Sequence, residues 1–141
     1  MSYQARKALG KIDLFAGLSA QTLDDLVQRG TTFTTKAGHR VVTEGAPDVG
    51  LQVILDGSAE ITVNGEPRPP LGPGDYFGEI SMIDGAPRSA TVVSGPEGMT
   101  AFALSSLAFA PMIDRPEVSR VLLKALCARI RSMEMPESAP G

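Results

Sequence analysis

Residues 30–65 read GTTFTTKAGHRVVTEGAPDVGLQVILDGSAEITVNG, and the texture of this stretch decides the fold. Gly30, Gly38, Gly45, Gly50, Gly57 and Gly65 fall 5 to 8 residues apart, and Gly72 continues the series. Between them lie runs rich in β-branched and aromatic residues, at 31–35, 40–43, 51–55 and 60–63. Short strands with frequent turn residues predict a sandwich or barrel rather than βαβ units. Asn64-Gly65, flanked by Ile61 and Val63, is a hairpin turn. The prolines at 67, 69, 70 and 73 predict a loop after it, and two more strands are expected near 89–93 and 100–104.

Helical patterns bracket this β-region. Leu9, Ile12 and Phe15 recur every three residues. After Ser19, a suitable N-cap, Leu23, Leu26 and Val27 mark a second helix that Gly30 can end. Near the other end, Asp114-Arg115-Pro116-Glu117 has an acidic pair three apart with Pro in the first turn, a helix start. The helix is predicted to run to Met133, with Val118, Val121, Leu122, Ala125, Leu126 and Ile130 along one side. The expected architecture is α+β: an antiparallel β-roll, jelly-roll-like, flanked by N-terminal and C-terminal helices.

Bulk properties narrow the function classes. A chain of 141 residues fits one domain, expected over 1–135 with a tail at 136–141. Net charge is −3, from 13 basic and 16 acidic residues, so no strongly basic nucleic-acid footprint is present and no nucleic-acid partner is expected. Cys127 is the single cysteine and has no intrachain partner, which leaves no call for an oxidising compartment. Residues 1–11 lack the apolar run of a signal peptide, and no segment approaches the ~20 apolar residues of a membrane span. A cytoplasmic location without membrane contact is the expectation. With one histidine, His39, and one cysteine far away in sequence, no soft-ligand metal site is expected, nor any cofactor. No nucleophile–base pair is evident either, so the chain reads as a binding module rather than an enzyme.

Residues 72–93 carry the chemistry: GPGDYFGEISMIDGAPRSATVV. Gly78 allows a ligand close to the backbone. Residues 79–83 can form one or two helical turns, whose free N–H groups and dipole favour a phosphate. Arg88 adds a planar cationic fork for two phosphate oxygens, and Pro87 fixes the backbone just before it. Glu79 is the informative oddity, because a carboxylate beside a phosphate is unfavourable without its own donor. A ribose 2′-hydroxyl is such a donor, and in a 3′,5′-cyclic nucleotide it is the one free ribose hydroxyl. A carboxylate and an arginine in this arrangement therefore describe a particular ligand rather than any anion.

This stretch resembles the phosphate-binding cassette of the cyclic nucleotide-binding domain family, which includes the bacterial catabolite activator and the regulatory subunits of cAMP-dependent protein kinase. The run at 41–57, with Glu44-Gly45, Gly50 and Asp56-Gly57, is similar to the family's other signature. The resemblance covers about 36–104 and implies roles residue by residue. Gly78, Ile80 and Ser81 would offer backbone amides, and Glu79 would take the ribose 2′-hydroxyl. Arg88 would pair with the cyclic phosphate, and Ser89 would reach the phosphate or the purine. Met82 would be the apolar lever that moves when phosphate arrives. The helix at 116–133 would act as a lid over the base and is the candidate face for a homodimer. The implied ligand is cAMP, with cGMP as the alternative, and the output passes to an effector protein that the sequence does not name. Two other readings stay open: the sensor half of a catabolite-activator-type transcription regulator, and a ligand-blind scaffold of the same fold. For Arg88 and Glu79 the plain alternative is a salt bridge pinning the loop; for Met82 it is a core side chain, and for Cys127 a small core residue or an idle thiol. His39, at a turn before a strand, is expected to be exposed.

Overall fold

A computed structural model of the chain describes Lys7 and residues 9–42, 50–78 and 90–134. After helical residues at 7 and 9–10, the fully described helices begin with α1 (Asp13–Ala16) and α2 (Ala20–Arg29). Ser19 caps α2 as its sequence position suggests, its hydroxyl accepting the Thr22 N–H at 3.2 Å. At the other end the Gly30 N–H donates to the Val27 carbonyl. Leu23, Leu26 and Val27 share the buried side, the spacing of an amphipathic helix.

Six strands follow: β1 (Thr31–Thr35), β2 (Arg40–Val42), β3 (Leu51–Val63), β4 (Glu66–Leu71), β5 (Tyr76–Phe77) and β6 (Thr91–Leu104). Two helices close the described chain, α3 (Ser106–Ile113) and α4 (Pro116–Glu134). Every described strand pairing is antiparallel, in the order β1-β6-β3-β4. β2 pairs with the first part of β6 and β5 with the first part of β3. The sheet curls into an open roll with helices at both ends of the chain, the expected fold class. Among the described residues no helix is long and apolar enough to cross a membrane.

The strand boundaries correct the sequence reading in three places. The runs at 51–55 and 60–63 are one continuous strand, because Gly57 serves as an irregularity within it and not as a turn. Its φ is +79°, and the β3–β6 register shifts between Gly57 and Ala59. The expected loop after the hairpin is strand β4 despite Pro67, Pro69 and Pro70. It is an edge strand paired with β3, where a missing N–H is tolerated. The two strands expected near 89–93 and 100–104 are the ends of a single β6. Helix α3 carried a local signal that the periodicity reading passed over: the Ser105 hydroxyl accepts the Ala108 N–H at 3.2 Å. The Asn64-Gly65 turn is as expected, with φ of 53° and 80°, both positive as a two-residue hairpin of this twist requires.

Alternation along β3 and β6 then sorts the core into two. Leu51 and Val53 face the helices, and with Phe102 and Leu104 they join Phe15, Leu26, Phe109, Val118 and Leu122. The rings of Phe15 and Phe109 meet edge to face, with centroids 6.4 Å apart. Ile54 faces the opposite way, into the roll, with Val42, Ala59, Phe77, Val92, Met99 and Ala101. A strand buried on both faces explains why 51–55 is almost uninterrupted in its apolarity. The interruption is Gln52, which by strand parity shares the roll face with Ile54.

Candidate functional site

The cassette hangs between two strands that both pair with β3. Its first residue, Gly78, follows Phe77, which lies directly opposite Gln52. The chain returns at Ala90 and enters β6 at Thr91, opposite Thr62. Gly78 has φ of +99°, backbone in which a side chain at this position would be strained. The positive φ is a conformational reason for glycine at this position, in addition to the close ligand approach expected from the sequence. Glu79, Ile80, Ser81, Met82, Arg88 and Ser89 lie outside the described residues.

What the described residues supply is the frame. Phe77, Val92 and Val42 are buried near the ends of β5, β6 and β2. On the helix side, Tyr76 packs against the other core, so the two residues of β5 are shared between roll and helices. This makes β5 a short bridge between the two cores.

Helix α4, the expected lid, is seated on α1 and α3. It starts at Pro116, with Pro at the first helical position and Glu117 beside the positive end of the dipole. The predicted apolar stripe is only half used. Val118 and Leu122 are buried, while Ala125 is exposed and Ile130 is 53% exposed. Leu123, off that stripe, is 62% exposed. A groove of about 1230 Å³ separates α4 and α1 from the β3–β5 edge, walled by Lys11, Asp75, Tyr76, Glu117, Val121 and Lys124. Cys127 is exposed, which leaves the idle thiol and removes the core reading. His39 is exposed as expected. Among the described residues no group of three or more His, Cys, Asp or Glu side chains could hold a metal ion.

Sequence reasoning missed one residue of interest. Gln52 is 7% exposed, and its Oε1 has no hydrogen-bond partner. The one signal available was an amide in the middle of an apolar run.

An open antiparallel roll flanked by helices at both ends of the chain is the fold class of cyclic nucleotide-binding domains. The profile of the cyclic nucleotide-binding domain matches residues 32–115, and the chain belongs to that family. A CRP-like cAMP-activated global transcriptional regulator of Mycobacterium tuberculosis is 30% identical over 132 residues, covering 87% of this chain and 57% of the regulator. The Thermus thermophilus catabolite activator protein superposes with a TM-score of 0.73 at 27% identity, over 86% of this chain and 60% of that one. The regulatory domain of Toxoplasma gondii PKA, solved with cAMP, gives a TM-score of 0.71 at 26% identity, over 78% and 43%. The chain thus spans little more than half the length of the regulator it matches. The family is one of regulatory binding domains and is not itself catalytic.

Proposed function

We propose that this domain is a cAMP sensor that holds its ligand without turning it over. The observation that carries this reading is the Gly78-Glu79 … Pro87-Arg88-Ser89 pattern, set between β5 and β6 in a chain of this family. Glu79 accepts the ribose 2′-hydroxyl, and Arg88 pairs with the cyclic phosphate. The amides of Gly78, Ile80 and Ser81 and the hydroxyl of Ser89 complete the phosphate cradle. cAMP is favoured over cGMP because the Mycobacterium relative is named as cAMP-activated and the Toxoplasma structure was solved with cAMP.

Ligand capture shifts a population rather than pushing a lever. cAMP binds better to the state in which α4 closes on the site, and only that difference in affinity is available to move the helix. Met82 couples the cassette to α4. The half-empty groove beside α4 and its exposed Leu123 and Ile130 support a helix with a second seat, on the ligand or on another copy of the chain.

Calorimetric titration with cAMP and cGMP tests the reading. Micromolar or tighter binding of cAMP is expected, and Arg88→Ala should weaken it by about 2–5 kcal/mol, roughly 30-fold or more. Equal binding by Arg88→Ala would overturn the site. Failure of both nucleotides at millimolar concentration would leave a ligand-blind scaffold. Amide exchange across 105–133 with and without cAMP reports the lid, and an unchanged segment rejects it. A second reading, the sensing part of a transcription regulator, is favoured by the Mycobacterium relative. cAMP-dependent binding of promoter DNA by the whole gene product would establish it.

A further inference from the structure

Strand β1 stands at the end of the sheet order, and among the described residues its one strand neighbour is β6. The two pair from Thr31 opposite Ala103 to Thr35 opposite Met99. A strand with a single neighbour turns the N–H and C=O of alternate residues away from the sheet. The sequence of β1, TTFTT, holds no charge and no proline that would spoil a further ladder, and all its residues but Phe33 are β-branched. Thr31 and Thr34 are exposed. The other outer strands are less suited: β2 has three residues and begins with exposed Arg40, β5 has two, and β4 is interrupted by proline.

The backbone of this edge is held in place. The Thr34 and Thr100 hydroxyls are hydrogen-bonded at 3.1 Å, tying β1 to β6. Beyond Thr35 the turn is fixed by Ser94, which is 1% exposed. The Ser94 hydroxyl accepts the His39 N–H at 2.9 Å and donates to the Lys36 carbonyl. The Gly38 N–H donates to the Ser94 carbonyl at 3.1 Å, and the Ser94 N–H to the His39 carbonyl at 2.9 Å. A groove of about 450 Å³ opens beside the strand, lined by Phe33, Thr34, Thr35 and Lys36 together with Arg40 and Val41 of β2. An ordered strand edge with a groove along it suits strand addition, in which main-chain bonds give affinity and the groove takes alternate side chains.

Charge selects the occupant. Arg29, the last residue of α2, precedes β1, and Lys36 follows it; both are exposed, as is Arg40. None of the three is held in an ion pair among the described residues, although Asp25 lies one helical turn before Arg29 and Glu97 two residues past the β1–β6 ladder. A second copy of the chain fits badly here. Antiparallel pairing of TTFTT with itself about Phe33 sets Lys36 opposite the other copy's Gly30 and next to its Arg29, at both ends of the ladder. The complementary occupant is an extended segment with an acidic residue at each end.

We propose that β1 is a docking edge for an extended segment of a partner protein, paired antiparallel to Thr31–Thr35, with acidic side chains at its ends that complement Arg29 and Lys36. The probe is a synthetic peptide blocked at both termini, Glu-Thr-Val-Thr-Ser-Thr-Val-Glu, whose acidic residues match the 29-to-36 spacing. It is titrated into the full chain at low salt, and amide shifts recorded by NMR locate the binding. Saturable shifts at 31–35 are expected, with a peptide carrying Lys in place of both Glu at least ~10-fold weaker. The double variant Arg29→Glu, Lys36→Glu alters two exposed positions and should reverse that preference. A peptide with two central prolines should not bind, because it lacks the ladder donors. No shift at 31–35 at millimolar peptide overturns the proposal. So does equal binding of the Glu-ended and Lys-ended peptides, an unreversed preference in the double variant, or undiminished binding of the proline peptide. Concentration-dependent shifts at 31–35 without peptide would assign the edge to a second copy, and slow amide exchange throughout β1 in the free chain would show the edge already covered; either result overturns it as well.

Discussion

The two faces of β3 and β6 build cores of different kinds. Toward the helices, large side chains interlock: Phe15, Phe102 and Phe109 with Leu9, Leu14, Leu51 and Leu104, each essentially sealed from solvent. Toward the roll the buried set among the described residues is smaller and contains Ala59, Ala101, Val42 and Val92, with Phe33, Val41, Ile61 and Leu71 only partly covered. The same two strands thus hold a close-packed side and a side that keeps space and an unpaired acceptor at Gln52. Among the described residues, the large fully buried side chains are concentrated on the helical face.

The contrast can be broken by measurement. The largest effect is expected on the helical side, where Phe109→Ala should destabilise the chain by about 3–5 kcal/mol in urea unfolding. A loss under about 1 kcal/mol would mean that the two cores do not differ as described. On the roll side, Ser94→Ala should lose about 1–3 kcal/mol, because the part-buried contacts to the His39 N–H and the Lys36 carbonyl go together. It should also loosen amide protection at 36–40, which a purely local packing loss would not do. The smallest effect is expected on the outside of α4. Leu123→Gln should change monomer stability by no more than about 0.5 kcal/mol. A dependence of its melting temperature on protein concentration that differs from the parent would sharpen the picture, marking that face as shared between copies.

Much of this was legible in the residues, for identifiable reasons. Ser19, Asn64-Gly65 and Pro116 are local devices whose chemistry works within three or four positions, and each lies where the sequence put it. The positive φ of Gly78 was not legible in the sequence, which spoke only for close ligand approach there, because a dihedral angle is set by the strand that precedes it and not by the residue type alone. Strand β4 was illegible because proline is a breaker by propensity, and only its edge position, a tertiary fact, makes it harmless. Gly57 looked like a turn because a bulge and a turn use the same residue. The half-used stripe of α4 could not be foreseen, since periodicity gives the apolar side but not how far a neighbour extends along it. The unpartnered Gln52 acceptor depends on which groups tertiary packing brings beside it, which no local pattern encodes.

The prolines of β4 have a further consequence. An outer strand ordinarily offers a row of amide protons that a second sheet can zip onto. Pro67, Pro69 and Pro70 leave only three amide protons, facing either way, in Glu66–Leu71. The open roll therefore ends in a strand that is poor at templating, and crowding many copies of the domain together should not string them into fibrils from this side.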